Sequence, residues 1–322
     1  MQSFKKWALI PLFGALLSCA YATEVYNAQK IADIFYRLNG ESAQPHKKIN
    51  HAKGFCATGR FVSYAKNAAK FQIPLLQDSS LKAQVRYSLG GGNLHASDAS
   101  KVRGIAVTLE GSKETWTMVM LNTPINFART PEEFGRFFEM RIPKEGKVDH
   151  AYIKEMTQKV PSYRNFAHYM QGVGVTSSVA HTPYYSIHTF FFKDSKGELI
   201  PARFTLQPLE GVRTLSPEAL KKAKGNFLEQ DFKDQIAKRP VDYKLTLILA
   251  NPKDPIDDTT KLWHGKHKEV ELGHLEVSAY SGHGCNPEVF MPSTLPNGIE
   301  PPKDPLFEVR NEVYGITFSR RQ

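Results

Sequence analysis

The sequence predicts an α+β fold: an antiparallel eight-stranded sheet or barrel with flanking helices. Three observations carry that prediction. Eight strand-like stretches fall in two runs of four, near residues 54–121 and 184–280. Helical patterns precede, separate and follow these runs instead of alternating with single strands, which favours antiparallel over parallel pairing. There is no internal repeat or linker-like tract, so residues 23–322 form one domain. That is long enough to bury one substantial core.

Residues 1–22 read as an export signal. Lys5 and Lys6 form a positive start, Trp7 to Leu17 an apolar core, and Ala20-Tyr21-Ala22 a small-residue cleavage site before Thr23. Leu16-Leu17-Ser18-Cys19 is a competing lipid-attachment pattern, less favoured here. No later stretch has the length and apolarity of a membrane span, so the mature protein is expected in the periplasm.

Val25 to Leu38 has helical spacing and stops at Asn39-Gly40; a basic connector runs from Glu41 to Asn50. The first four strands are Gly54–Ser63, Ala83–Leu89, Val102–Glu110 and Thr115–Leu121. Gly90-Gly91-Gly92 marks a turn and matches no phosphate-binding spacing. Thr130-Pro131-Glu132-Glu133 starts a helix, with further helices between Asp149 and Gln171. The second run is Tyr184–Lys193, Leu199–Gln207, Tyr243–Leu249 and Lys268–Tyr280, with helices from Ser216 and over Asn226–Lys238 inside it. Gly284 to Pro305 is rich in proline and asparagine and reads as an extended wrapping segment.

The net charge is +10, or +8 once Lys5 and Lys6 are removed. No helix-turn-helix or aromatic-basic stripe accompanies that charge, so nucleic acid is not an expected partner. Beyond Cys19 the cysteines are Cys56 and Cys285, which either pair in an oxidising compartment or remain buried thiols. Trp263-His264-Gly265-Lys266-His267 has ligand-like histidine spacing but no third ligand.

Two motifs carry chemistry. His51 opens an H-A-K-G run, and Arg310 and Tyr314 stand one helical turn apart near the end of the chain. A histidine can shuttle protons, and a tyrosine beside an arginine can serve as an anionic iron ligand. Between them, in order, lie Arg86-Tyr87-Ser88, Arg103-Gly104-Ile105-Ala106-Val107, Asn122-Thr123-Pro124, Ser186-Ile187-His188-Thr189-Phe190 and Asn297-Gly298-Ile299-Glu300-Pro301.

In these motifs and their order the chain resembles the haem catalases, specifically their short exported relatives, the catalase-related peroxidases. The resemblance implies an antiparallel eight-stranded β-barrel of the haem catalase type, holding haem b and its iron. It implies His51 as acid–base, Asn122 as the amide that holds peroxide, and Ser88 as the group that orients His51. Tyr314 would ligate the iron, assisted by Arg310; tyrosine is the ligand of catalases in general. Arg86, Arg321 and Lys48 would pair with the haem carboxylates. Phe127 would lie by the peroxide pocket and His188 beside Arg310. Partners would be a peroxide and a small organic electron donor, the protein being a monomer or small homo-oligomer.

The chain departs from the larger catalases at Asn50, where they carry a channel-narrowing valine, and at Gly315, where they carry proline. It also lacks their N-terminal arm, their tryptophan-rich stretch and the region beyond the last helix. A wider pocket follows as an expectation, and with it reduction of hydrogen peroxide or organic peroxides by an external donor in antioxidant defence. The alternatives are dismutation of hydrogen peroxide, or an exported haem-binding protein without turnover.

Overall fold

A computed structural model describes residues 25–40, 44–223 and 225–322. The export signal and Cys19 lie outside the described residues. Ten strands are numbered along the chain: β1 Gly54–Ser63, β2 Ser80–Leu89, β3 Arg103–Glu110, β4 Thr115–Leu121, β5 Tyr184–Tyr185, β6 Phe190–Lys193, β7 Leu199–Pro208, β8 Val241–Leu249, β9 Glu269–Tyr280 and β10 Ile299–Glu300. The helices are α1 Ala28–Asn39, α2 Ala65–Ala68, α3 Pro131–Glu139, α4 His150–Lys159, α5 Pro161–Gln171, α6 Pro217–Lys222, α7 Leu228–Ile236 and α8 Leu306–Ser319.

All strand pairs are antiparallel. The order β7-β5-β4-β3-β2-β1-β9-β8 closes on itself through β8–β7, making an eight-stranded barrel. Strand alternation explains the filling. Val85 and Tyr87 on β2, Ile105 and Val107 on β3, and Trp116 and Met118 on β4 point inward with Phe204, Tyr243 and Leu275. The expected strand Tyr184–Lys193 is split into β5 and β6, both paired with β7. Ser186 causes the break: its hydroxyl donates to the His188 carbonyl and accepts from Phe204 N, replacing regular ladder bonds.

The outward face of β2–β4 is the one that matters for the site. Arg86, Ser88, Gly104, Ala106, Val119 and Leu121 project there, and α1, α3 and α8 lie over it. A second core of Ile31, Ile34, Phe35, Phe134, Leu306 and Val313 joins those helices. Thr130 caps α3 by accepting from Glu133 N, as the sequence signal requires. The wrapping segment after β9 is fixed by the Cys56–Cys285 disulfide, which resolves the open cysteine question in favour of pairing. Among the described residues, no helix is long and apolar enough to cross a membrane.

Candidate active site

Between the outward strand face and the helices lies a cavity of about 440 Å³. His51 enters from the strand side. It sits just before β1 with φ +50°, a left-handed conformation that costs a non-glycine residue roughly 1–2 kcal/mol. Two contacts hold that geometry: Arg86 Nη2 donates to the His51 carbonyl at 2.9 Å and to the Ala52 carbonyl at 3.2 Å. The His51 ring meets Ser88 through Nδ1···Oγ at 3.1 Å. Gly104 leaves room for this pair, since a Cβ there would stand 2.9 Å from Ser88 Oγ and 3.1 Å from His51 Nδ1. Burial, then the charges of Arg86 and Arg310, push His51 down to about 4, so its imidazole is neutral at pH 7.

Tyr314 and Arg310 line the same cavity from α8. Arg310 Nη1 donates to His188 Nε2 at 2.5 Å, and His188 Nδ1 in turn donates to Asp304 Oδ2 at 2.7 Å. Asp304 thereby fixes the tautomer that leaves Nε2 as acceptor. His188 is pulled below its ordinary range by burial, which outweighs the Asp304 carboxylate.

Lys48, Arg86 and Arg321 gather at one edge. Arg86 Nε donates to Asn286 Oδ1 at 2.9 Å; Arg321 Nη2 and Lys48 Nζ both donate to the Glu288 carbonyl, at 2.8 and 2.5 Å. Burial followed by repulsion from Arg86 and Arg321 pushes Lys48 down to about 6. Buried Arg321 Nε has no partner. With Arg310 and Arg141, four guanidiniums and the Lys48 amine line the cavity, and among the described residues no Asp or Glu does. Such a lining is suited to an anionic occupant.

Phe127 lines the cavity, stacked on Phe137 at 3.9 Å. Asn122 does not, contrary to the sequence expectation. Its Oδ1 accepts from Arg103 N and its Nδ2 donates to the Lys101 carbonyl, both at 2.8 Å, so both ends of the amide serve the backbone. Leu121, one residue earlier on β4, faces the cavity instead. Ser88, Arg86, Arg310, Arg321, Lys48, Phe127, His51 and Tyr314 converge on one cavity, and His188 stands behind Arg310.

Sequence reasoning missed Asp304, Asn286 and Arg141. Asp304 had a local signal: its Oδ1 accepts from Leu306 N at the start of α8. Asn286 had none, being placed by the wrapping segment. Arg141 follows the phenylalanines of α3 and reads as an ordinary solvated charge in the sequence.

The lining fits haem at every point available here. It offers a tyrosine for a metal, a neutral imidazole on the other wall, two guanidiniums and the Lys48 amine for two carboxylates, and an apolar body including Ala106, Val119, Phe127 and Val313.

The catalase family model matches residues 38–322. A catalase-related peroxidase of Synechococcus elongatus is 29% identical over 98% of this chain and 96% of its own length. Another, from Mycolicibacterium paratuberculosis, is 26% identical over 87% of this chain and 90% of its own length. Catalase A of Saccharomyces cerevisiae superposes with a TM-score of 0.77 at 19% identity, covering 88% of this chain and 62% of that one. The chain therefore spans less than two thirds of that longer catalase. With the match extending over most of its length, the chain belongs to the catalase family.

Proposed function

We propose that the protein is an exported haem b peroxidase that reduces hydrogen peroxide or organic peroxides with an external electron donor, in antioxidant defence. One observation carries the reading: His51 and Tyr314 line the same cavity from its strand and helix walls, with four arginines and Lys48 and, among the described residues, no carboxylate. Tyr314 would ligate the iron, and Lys48, Arg86 and Arg321 would hold the haem carboxylates. Bound there, haem would supply the redox chemistry that breaks the peroxide O–O bond, with electrons restored by the donor.

The protein's own part is proton transfer and confinement. Neutral His51, with Nδ1 engaged by Ser88, keeps Nε2 free to take a proton from one peroxide oxygen and pass it to the departing one. Taking up that proton leaves His51 transiently cationic beside Arg86 and Arg310, which speeds its release to the departing oxygen. Phe127, Phe137 and Phe166 keep that side apolar and admit a hydrocarbon substituent on the peroxide.

The Asn122 amide is engaged by Arg103 N and the Lys101 carbonyl, and an aromatic wall lines the cavity, which supports peroxidase over dismutase chemistry. The wall of Phe127, Phe137 and Phe166 accommodates an organic donor. The test is spectroscopic and kinetic. Tyr314→Phe removes the tyrosinate signature of the haem-loaded protein, and His51→Ala lowers peroxide turnover by about 10²–10⁴-fold while leaving haem bound. An unchanged spectrum in Tyr314→Phe refutes the ligand assignment. Equal turnover in His51→Ala favours a haem-binding protein without peroxidase function.

A further inference from the structure

Arg141 is a cavity cation that the peroxidase reading leaves without a task. Lys48, Arg86 and Arg321 stand together at the edge suited to the haem carboxylates, and Arg310 is tied to His188. Arg141 follows the C-terminal end of α3, and among the described residues it makes no ion pair. One Nη1 hydrogen bond to the Phe137 carbonyl is its polar contact with the protein. Its guanidinium lies 3.5 Å from the centre of the Phe137 ring. Phe137 in turn stacks on Phe127 with centroids 3.9 Å apart and planes 24° apart. Guanidinium, Phe137 and Phe127 thus form one column along the cavity wall.

The guanidinium is partly buried beside aromatic faces, its remaining N–H groups make no hydrogen bond to the described residues, and none of those residues brings an acid to the lining. Burial holds it down at about 10, a further sign that no carboxylate compensates it. Aromatic rings pack against such a wall, and a planar fork matches a carboxylate with two parallel bonds.

We propose that Arg141 selects the electron donor, and that the donor is an aromatic carboxylic acid. Its ring packs along the Phe127–Phe137 column and its carboxylate meets the Arg141 guanidinium. The inference rests on the peroxidase reading and names its reducing substrate. For a phenolic acid the reaction balances as one organic hydroperoxide and two phenols giving one alcohol, one water and two phenoxyl radicals. Each phenol gives up one electron and one proton, and the two protons complete the water.

The test compares 4-hydroxyphenylacetate with 4-ethylphenol, which has a similar ring and no charge. Calorimetry on the haem-loaded protein gives each affinity, and steady-state oxidation with cumene hydroperoxide gives each kcat/KM. Wild type is expected to prefer the acid, by about ten- to a hundredfold for a charged hydrogen-bonded pair. Arg141→Gln abolishes the preference; Arg141→Lys keeps part of it and makes it more sensitive to salt. The ratio between the two phenols removes any general loss of folded protein. No preference in wild type, or a preference that survives in Arg141→Gln, overturns the proposal. If the acid binds through Arg141 and neither phenol is oxidised, the carboxylate site stands and the peroxidase reading fails.

Discussion

His51 owes its chemistry to neighbours that are far away in sequence. The H-A-K-G run points to a useful histidine. What makes it a base is Ser88 on Nδ1, Arg86 on its carbonyl, and the burial that depresses its protonation to about 4. A histidine normally titrating near 6.5 stays neutral here until the pH falls toward 4. The second-order reaction with peroxide is expected to be flat from pH 7 to about 5 and to fall below that. A descent centred near 6.5 in a pH–rate profile would show that His51 is not held neutral by its surroundings. The same shift makes unfolding easier in acid, because between pH 6.5 and 4 the unfolded chain binds a proton that folded His51 refuses. Asn122 shows the opposite limit of sequence reading. The Asn-Thr-Pro triplet is visible, but on β4 alternate residues face opposite sides. Val119 and Leu121 take the cavity face, and Asn122, one step beyond the strand, turns back to bond Lys101 and Arg103.

Strand alternation made the barrel legible element by element, because each strand has a continuous inward file of apolar residues. Breaks in that pattern were harder to see. The interruption between β5 and β6 depends on one serine hydroxyl replacing a ladder bond, which leaves no trace in hydrophobic periodicity. The wrapping segment was recognised as extended, yet its role was invisible. It supplies Asn286 to Arg86, the Glu288 carbonyl to Lys48 and Arg321, and Asp304 to His188. The disulfide joins this segment to β1 across 229 residues of chain. Cys56→Ser with Cys285→Ser is therefore expected to cost about 2–5 kcal/mol in unfolding free energy. Haem transfer to an acceptor protein should speed up at the same time, since the Glu288 carbonyl and Asn286 loosen together. Denaturant melts and haem-transfer rates that both match wild type would show that the segment holds its place without the bond.

At the scale of the whole molecule, the barrel's outer wall and the helices α1, α3 and α8 enclose a space whose charge is one-sided. No local window of sequence reveals that, because the five basic side chains come from the connector before β1, from β2, from the end of α3, from α8 and from the residues beyond it. Lys48 reports on the imbalance. Depressed to about 6 in the cofactor-free protein, it is mostly neutral at pH 7.5. A carboxylate placed beside it raises its pKa, so it takes up a proton when haem binds. Calorimetry in buffers of different ionisation enthalpy should give about one proton more in wild type than in Lys48→Met. Equal counts would place the carboxylates elsewhere.

Reduction of peroxide at the expense of an external donor is the activity proposed for the protein. The most direct measurement runs two assays on one preparation of haem-loaded protein. One follows oxygen release from hydrogen peroxide; the other follows oxidation of an aromatic donor with an organic peroxide. Donor oxidation with little oxygen release is the predicted result. Rapid oxygen release without donor oxidation would contradict it.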